Sequence, residues 1–398
     1  MTQSQPGEAA TRQELPPLPF CRPDITEDEI NEVVDTIRSG WLTTGPKTRL
    51  FEERFRDYVG SSYAVAVSSC TAGLHLMLMA AGIGEGDEVI TTPLTFCATV
   101  NTIILQRATP VLADICLDDY NIDPQQVEAK ITPRTKAIVA VHYGGQPCRM
   151  DELADIARRH NLLLFEDAAH AAGASYRSKM VGSIGDATAF SFYVIKNMTT
   201  GEGGMVTTNN PELEDKVRLL RLHGMSHDAW KRYDAKGSWY YEILACGLNY
   251  KMTDVQASLG LHQLQRLDGF IERRAQIVAE YSRRFERLPE LVLPKARPEV
   301  HHAWHLYPIW LQSEGLLIGR DELIEELKAR GIGTSVHFIP IHYHPYYQQT
   351  LGLRQGDFPK TDRLFAGLLS LPLFPLMTDA DVARVSDAVE EIVVNNRR

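Results

Sequence analysis

The chain has 398 residues, with 41 basic against 51 acidic side chains and a formal net charge of −10. At about 100–200 residues per domain, such a length makes two or three domains and needs no disulfide or metal staple to hold a core. With 44% hydrophobic and 23% charged residues, the composition is that of a soluble globular protein, and the acidic balance argues against nucleic acid or an anionic membrane as a partner.

The opening MTQSQPGEAATRQELPPLPF lacks both the basic start and the apolar centre of a signal peptide. Residues 1–18 read as a disordered tail. No run approaches eighteen apolar residues, so no membrane span is expected. Cys21, Cys70, Cys97, Cys116, Cys148 and Cys246 are scattered without a CxxC pair, as reduced thiols of a cytoplasmic protein without a bound metal would be.

After the tail, Ile25, Ile30, Val33, Val34 and Ile37 recur at helical spacing within Asp24–Arg38, and Gly40 stops the pattern. Strand-then-helix units follow. The apolar run 64–67 passes through SSCTAG (68–73) into a helix over 74–81, and strands are expected at 88–92, 109–115, 136–143 and 162–167, with a strand pair around 187–192 and 203–208. Such alternation predicts an α/β fold with a mostly parallel sheet flanked by helices, whose ligands bind at the carboxyl ends of the strands. Residues 226–251 read as a long ordered loop, and loops of that length are usually functional or disordered. A helix over Asp254–Leu288 then leads to strands at 304–311 and 334–338 and helices at 321–330, 360–369 and 378–395. This predicts a large domain over 19–255 and a smaller α+β domain over 256–398.

The chemistry concentrates between Leu162 and Thr208. Asp167 stands where an apolar strand ends, and Lys196 follows 29 residues later after another apolar run. Desolvation lowers a lysine pKa, and a neutral amine in an apolar pocket is the form that makes a Schiff base. Pyridoxal phosphate needs such a lysine, an acid beside its pyridine nitrogen, and a cup for its phosphate. Lys196, Asp167 and SSCTAG are the candidates. The cup lies between strand and helix, where helix-start amides meet an anion, and Ser191 offers a further hydroxyl. GEGG (201–204) precedes a strand rather than a helix, so it reads as a turn near Lys196.

The segments EDAAH (166–170), SFYVIKNMTTGEGGM (191–205), SSCTAGLH (68–75), GLNYKMTDVQASLG (247–260) and TSVHFIPIHYHPYY (334–347) together resemble the DegT/DnrJ/StrS nucleotide-sugar aminotransferases, over about residues 20–395. The resemblance implies a type I pyridoxal phosphate aminotransferase fold and a homodimer with interface active sites. It implies amino transfer from an amino acid such as L-glutamate to a nucleotide-linked keto sugar. Lys196 is then the imine lysine and Asp167 the pyridine partner. Cys70, Thr71 and Ser191 fall at the phosphate, Phe96 over the ring, and His170, often Gln in relatives, near the 3-oxygen. Asn249 and Lys251 match positions reaching the neighbouring subunit's phosphate, although residue 251 is commonly Arg in relatives. Dehydratase or deoxygenase members, the alternative reading, replace the lysine by His, so Lys196 favours transfer. Similarity to perosamine-type and 4-amino-arabinose members favours C4, with C3 the alternative.

His337, His342 and His344 have no zinc-site spacing, and Pro340 interrupts any element that would align them. The resemblance puts His337 near the sugar-nucleotide pocket. His301, His302 and His305 read as surface or strand-packing residues, and the tyrosines of 343–347 as a packed turn.

Overall fold

The computed structural model describes residues 16–226 and 240–398. Helices α1 (Glu27–Ser39) and α2 (Pro46–Val59) lead into β1 (Tyr63–Val67) and α3 (Cys70–Ala80). Next come β2 (Glu88–Thr91), α4 (Cys97–Leu105), β3 (Thr109–Leu112), α5 (Pro124–Ala129), β4 (Thr135–Val141), α6 (Met150–His160) and β5 (Leu163–Ala168). Short strands β6 (Ser175–Tyr176) and β7 (Lys179–Met180) precede β8 (Ala187–Ser191), β9 (Gly204–Thr208) and α7 (Pro211–Leu220). The long α8 (Asp254–Phe285) opens the remainder: β10 (Leu291–Val292), β11 (Val300–His301), β12 (Tyr307–Leu311), α9 (Arg320–Ala329), α10 (Pro345–Leu351), α11 (Pro359–Phe365), β13 (Leu368–Leu371) and α12 (Asp379–Asn395).

Seven strands form one sheet in the order β1-β9-β8-β5-β4-β2-β3. From β8 to β3 all pairings are parallel, while β9 runs antiparallel to both β8 and β1. This is the expected mostly parallel sheet. Helix α3 packs against it and is buried on nearly every side, as a helix apolar all round must be. A second core gathers β12, β13 and α12 with Ile277, Val278, Tyr281 and Phe285 of α8. The earlier turns of α8 (Ala257, Leu261, Leu264, Leu267, Ile271) instead pack with Phe51, Phe55 and Phe192 on the sheet side. We propose two domains, 19–255 and 256–398, with α8 as the wall they share.

Asp254 fixes where that wall begins. Its carboxylate accepts the N–H of Gly45 at 2.7 Å and both the N–H and hydroxyl of Thr48 at 2.9 and 2.6 Å. A buried anion thus sits at the start of α2, where the helix dipole and unpaired N–H groups favour it.

Several expectations are corrected. Residues 1–15 of the expected tail lie outside the described residues, but Leu18 is buried in the second core and pairs with Ile332. Residues 334–338 do not form a strand: only Ser335 bridges Ser370, and His337 turns inward on a Ser370 bond that holds it off any ladder. The helix expected over 360–369 ends at Phe365, and the buried run Leu368–Leu371 is strand β13. Periodicity cannot separate strand from helix in so short an apolar run. Of the 226–251 loop, 227–239 lie outside the described residues, and 240–251 contain only isolated bridges.

Helix α1 forms as expected, yet only part of its apolar stripe is covered: Val33 and Val34 are half-buried. Ile30 and Ile37 are exposed, as are Trp41 and Leu42 beyond it, while Glu29 and Thr36 are buried. The six cysteines are free, and among the described residues no helix is long and apolar enough to cross a membrane.

Candidate active site

Strand alternation divides the two carboxylates of β5. Glu166 turns to one face, bonding His142 at 2.9 Å and the Thr188 hydroxyl and Gly185 N–H at 2.8 Å each. Asp167 turns to the other, level with Ala189 of β8 and Val141 of β4. There it accepts the Thr99 hydroxyl at 2.7 Å and the Ala169 N–H at 3.1 Å, with the Cys70 sulfur 3.8 Å away.

Lys196 sits in the loop between β8 and β9. The loop is closed on itself by Phe192 N–H to Gly203 O and Thr200 N–H to Phe192 O, each 2.9 Å. Lys196 is half-buried. Burial pushes its amine down to about 8, against the opposing pull of Cys70 and Asp167. No hydrogen bond or ion pair to its Nζ occurs among the described residues. In cofactor-free protein, an amine-acylating reagent is therefore expected to label Lys196 with a midpoint near pH 8, because only the neutral amine reacts. Peptide mass mapping across pH measures this, and a midpoint near that of the other lysines would contradict the desolvated pocket.

The expected cup is a helix start. Ser69 caps α3 by accepting the Ala72 N–H at 3.1 Å, leaving the first-turn amides of Cys70 and Thr71 without intrahelical partners. Cys70 is buried and Thr71 exposed. A Cβ at Gly204 would lie 2.6 Å from the Ser69 carbonyl carbon and 2.7 Å from the Cys70 nitrogen. Only glycine lets β9 pass that close to the cup. Ser191, buried, faces Gly204 across the β8–β9 ladder.

His170 is buried three residues beyond Asp167. Its Nδ1 accepts the Gly144 N–H at 3.3 Å. Burial, with Lys196 and His337 nearby, holds its pKa well below the ordinary value. His337 bonds the Ser370 hydroxyl at 3.1 Å and stacks on Phe20 at 5.4 Å, while its carbonyl accepts the Tyr143 hydroxyl. Burial and the Lys196 charge bring its pKa down to about 4. Cys70, Asp167, His170, Lys196 and His337 thus share one neighbourhood at the carboxyl end of β5 and β8.

Phe96 stands at its edge, 58% exposed, its ring 6.0 Å from Phe338. Both line a groove of about 730 Å³ with Leu105, Ile339, Tyr346 and Tyr347. Tyr347 is packed as expected, its hydroxyl 2.7 Å from Asn101, but Tyr346 is exposed. Asn249 and Lys251 flank the strand end that enters the cup: their backbones bridge Leu222 and Val67, the Ser68 N–H donates to the Tyr250 carbonyl at 2.8 Å, and Asn249 is exposed. His342 bonds Asp362 at 2.6 Å, away from His337.

Three contributors were not legible in the sequence. Thr99 reaches Asp167 from the first turn of α4, one turn past Phe96. Cys21 touches the Ile195 carbonyl at 3.6 Å, so the N-terminal segment passes beside Lys196. His305, expected on the surface or in strand packing, lies before β12 and is buried against His170, ring centroids 4.3 Å apart. His301 is exposed, and His302 stacks on Trp304 at 3.8 Å.

Comparison with known proteins adds to this geometry. Residues 23–390 match the model of the DegT/DnrJ/EryC1/StrS aminotransferase family. The chain is 53% identical over 377 residues to the spore coat polysaccharide biosynthesis protein SpsC of Bacillus subtilis, covering 94% of this chain and 97% of that one. It is similar in structure to the putative sugar aminotransferase Spr1654 from Streptococcus pneumoniae, solved in PMP and PLP forms. For the PMP form the TM-score is 0.90 at 35% identity, covering 95% of this chain and 99% of that one. Helicobacter pylori PseC, an aminotransferase involved in the biosynthesis of pseudoaminic acid, superposes with a TM-score of 0.88 at 30% identity, covering 95% and 100%.

Proposed function

The chain belongs to the DegT/DnrJ/EryC1/StrS aminotransferase family, and from that premise we propose that it moves an amino group from L-glutamate to C4 of a nucleotide-linked keto sugar. It is a pyridoxal-phosphate-dependent sugar aminotransferase with a place in polysaccharide biosynthesis. The observation that carries the reading is the half-buried, unpaired Lys196 amine within electrostatic reach of the Asp167 carboxylate.

The residues present fit the cofactor. The α3 start offers free amides to a phosphate, Gly204 leaves it room, and Asp167 presents a carboxylate to a ring nitrogen. When bound, pyridoxal phosphate supplies an aldehyde that condenses with amines and a ring that draws electrons from the carbon next to them. Asp167 would hold a proton on the ring nitrogen, since a carboxylate there favours the charged form. Lys196 Nζ would hold the cofactor covalently, and its amine would move the proton at the donor's Cα. Cys70, Thr71 and Ser191 would hold the phosphate, Phe96 the ring, and His170 the ring oxygen. His337 would bind the sugar. The C4 assignment rests on the similarity of residues 335–347 and 195–204 to C4-aminating members.

We propose a homodimer in which Asn249 and Lys251 reach the neighbouring subunit's phosphate. The exposed Ile30, Ile37, Trp41 and Leu42 support it, because contiguous apolar surface marks an interaction site. Sedimentation equilibrium is expected to give twice the chain mass, and replacing Ile30 and Ile37 together by Asp to give monomer. An undisturbed dimer would move the interface elsewhere.

The function is tested by incubating the holoenzyme with glutamate and a panel of 4-keto and 3-keto nucleotide sugars. Amine formed in proportion to glutamate consumed, at C4 by NMR, is the expected result. Amination at C3 overturns the regiochemistry, and a deoxygenated product without amine overturns transfer.

A further inference from the structure

His305 is a buried side chain whose chemistry the site does not use: among the described residues neither ring nitrogen has a hydrogen-bond partner. Leaving a polar group buried and unpaired is costly, so such a residue calls for an explanation. Its surroundings supply one. Lys196, Arg274, His170 and His337 all bear on it electrostatically and, with burial, keep the ring neutral. The ring lies against His170, 4.3 Å between centroids and 40° between planes. Phe338 also stacks near His170, 5.6 Å away and inclined by 19°. His170 is therefore in contact with two rings.

The same turn fixes the edge of His170 and the backbone of His305. Gly144 donates its N–H to His170 Nδ1 at 3.3 Å, and it also accepts the Leu306 N–H at 3.1 Å, while Gly145 accepts the Ala303 N–H at 3.0 Å. A Cβ on Gly145, whose φ is +101°, would come within 3.0 Å of both the His170 oxygen and the His305 nitrogen, so the two histidines meet only because that residue is glycine. A backbone N–H can only donate. Nδ1 is thus the bare nitrogen of a neutral ring, and the proton of His170 is on Nε2. No protein group among the described residues takes up that Nε2–H.

We propose that His305 is a positioning residue: its ring face, not its nitrogens, clamps His170 against Phe338 so that a single tautomer presents Nε2–H to the cofactor. The proposal rests on His170 facing the cofactor, as argued above, and its first readout does not depend on that reading. Long-range ¹H–¹⁵N spectra of histidine-labelled full-length protein, recorded with and without pyridoxal phosphate, report the tautomer, with His170→Gln identifying the His170 signals. Wild type and His305→Phe are expected to show one fixed Nε2–H tautomer. His305→Ala is expected to show an averaged ring and a kcat lowered about 10- to 100-fold, with the KM for glutamate little changed. Should the alanine variant fold poorly, His305→Leu removes the aromatic face while keeping bulk, with the same expectation. An unchanged His170 tautomer in the alanine and leucine variants would overturn the clamp, as would a phenylalanine variant as impaired as alanine. Loss of the tautomer without loss of kcat would uphold the clamp and instead count against His170 facing the cofactor.

Discussion

Replacing Lys196 by alanine is expected to lower turnover by at least ~10⁴-fold, the scale on which removing a covalent group acts, while the thermal unfolding midpoint stays near wild type. The side chain makes no hydrogen bond or ion pair among the described residues, and its amine is already destabilised by burial. The fold therefore loses little with it. The chemistry loses both its attachment point and the base for the Cα proton. Borohydride treatment followed by peptide mass mapping reads the first: the wild-type holoenzyme should carry a reduced pyridoxyl group on the Lys196 peptide, and the variant none. Single-turnover rates with glutamate read the second. A variant that turns over at the wild-type rate, or that traps the group on another lysine, would remove Lys196 from its place.

Asp167→Asn is expected to bind pyridoxal phosphate and yet lose about 10²–10³-fold in kcat, the usual scale for one preorganised electrostatic contact. The substitution is close in shape: its amide oxygen, in the place of Oδ1, still accepts the Ala169 N–H, and its NH2, in the place of Oδ2, donates to the Thr99 hydroxyl oxygen, which now donates to the carboxylate. What disappears is the negative charge. Without it a ring nitrogen is not held protonated, and electrons at the donor's Cα are drawn less strongly. Thr99→Val, which leaves the charge but frees one oxygen, should fall between the two, with cofactor affinity affected less than rate. Rates for Asp167→Asn equal to wild type would break the argument.

Part of the candidate site is legible in the chain because its principal groups lie at the ends of apolar runs. Asp167 stands one residue before the end of β5 and Lys196 follows β8, so strand ends draw attention to both, while their roles come from the resemblance of several motifs together. SSCTAG was visible as a strand-to-helix passage for a similar reason. His305 could not be found this way. It stands in HHAWHLY, where histidine and tryptophan alternate with no clear period, and only the Gly144–Gly145 turn, some 160 positions earlier in the chain, brings it to His170. Thr99 is also hidden, since a threonine in the first turn of a helix is more often a local capping group. Helix α1 shows the opposite case. Its spacing is correctly helical, but the pattern names an apolar face without saying what covers it, and among the described residues Ile30 and Ile37 stay exposed. Residues 368–371 were misread because four buried residues satisfy a helix and a strand alike.

Helix α8 also bears on how the molecule comes off the ribosome. Phe51 and Phe55 emerge well before α8, yet their cover includes Leu261, Leu264 and Leu267, made about two hundred residues later. Throughout that interval the nascent sheet has an open greasy side, and contacts so far apart in sequence close slowly. Synthesis in cells short of chaperones should therefore yield inclusion bodies, and stop codons placed before α8 should produce fragments that aggregate rather than a stable half.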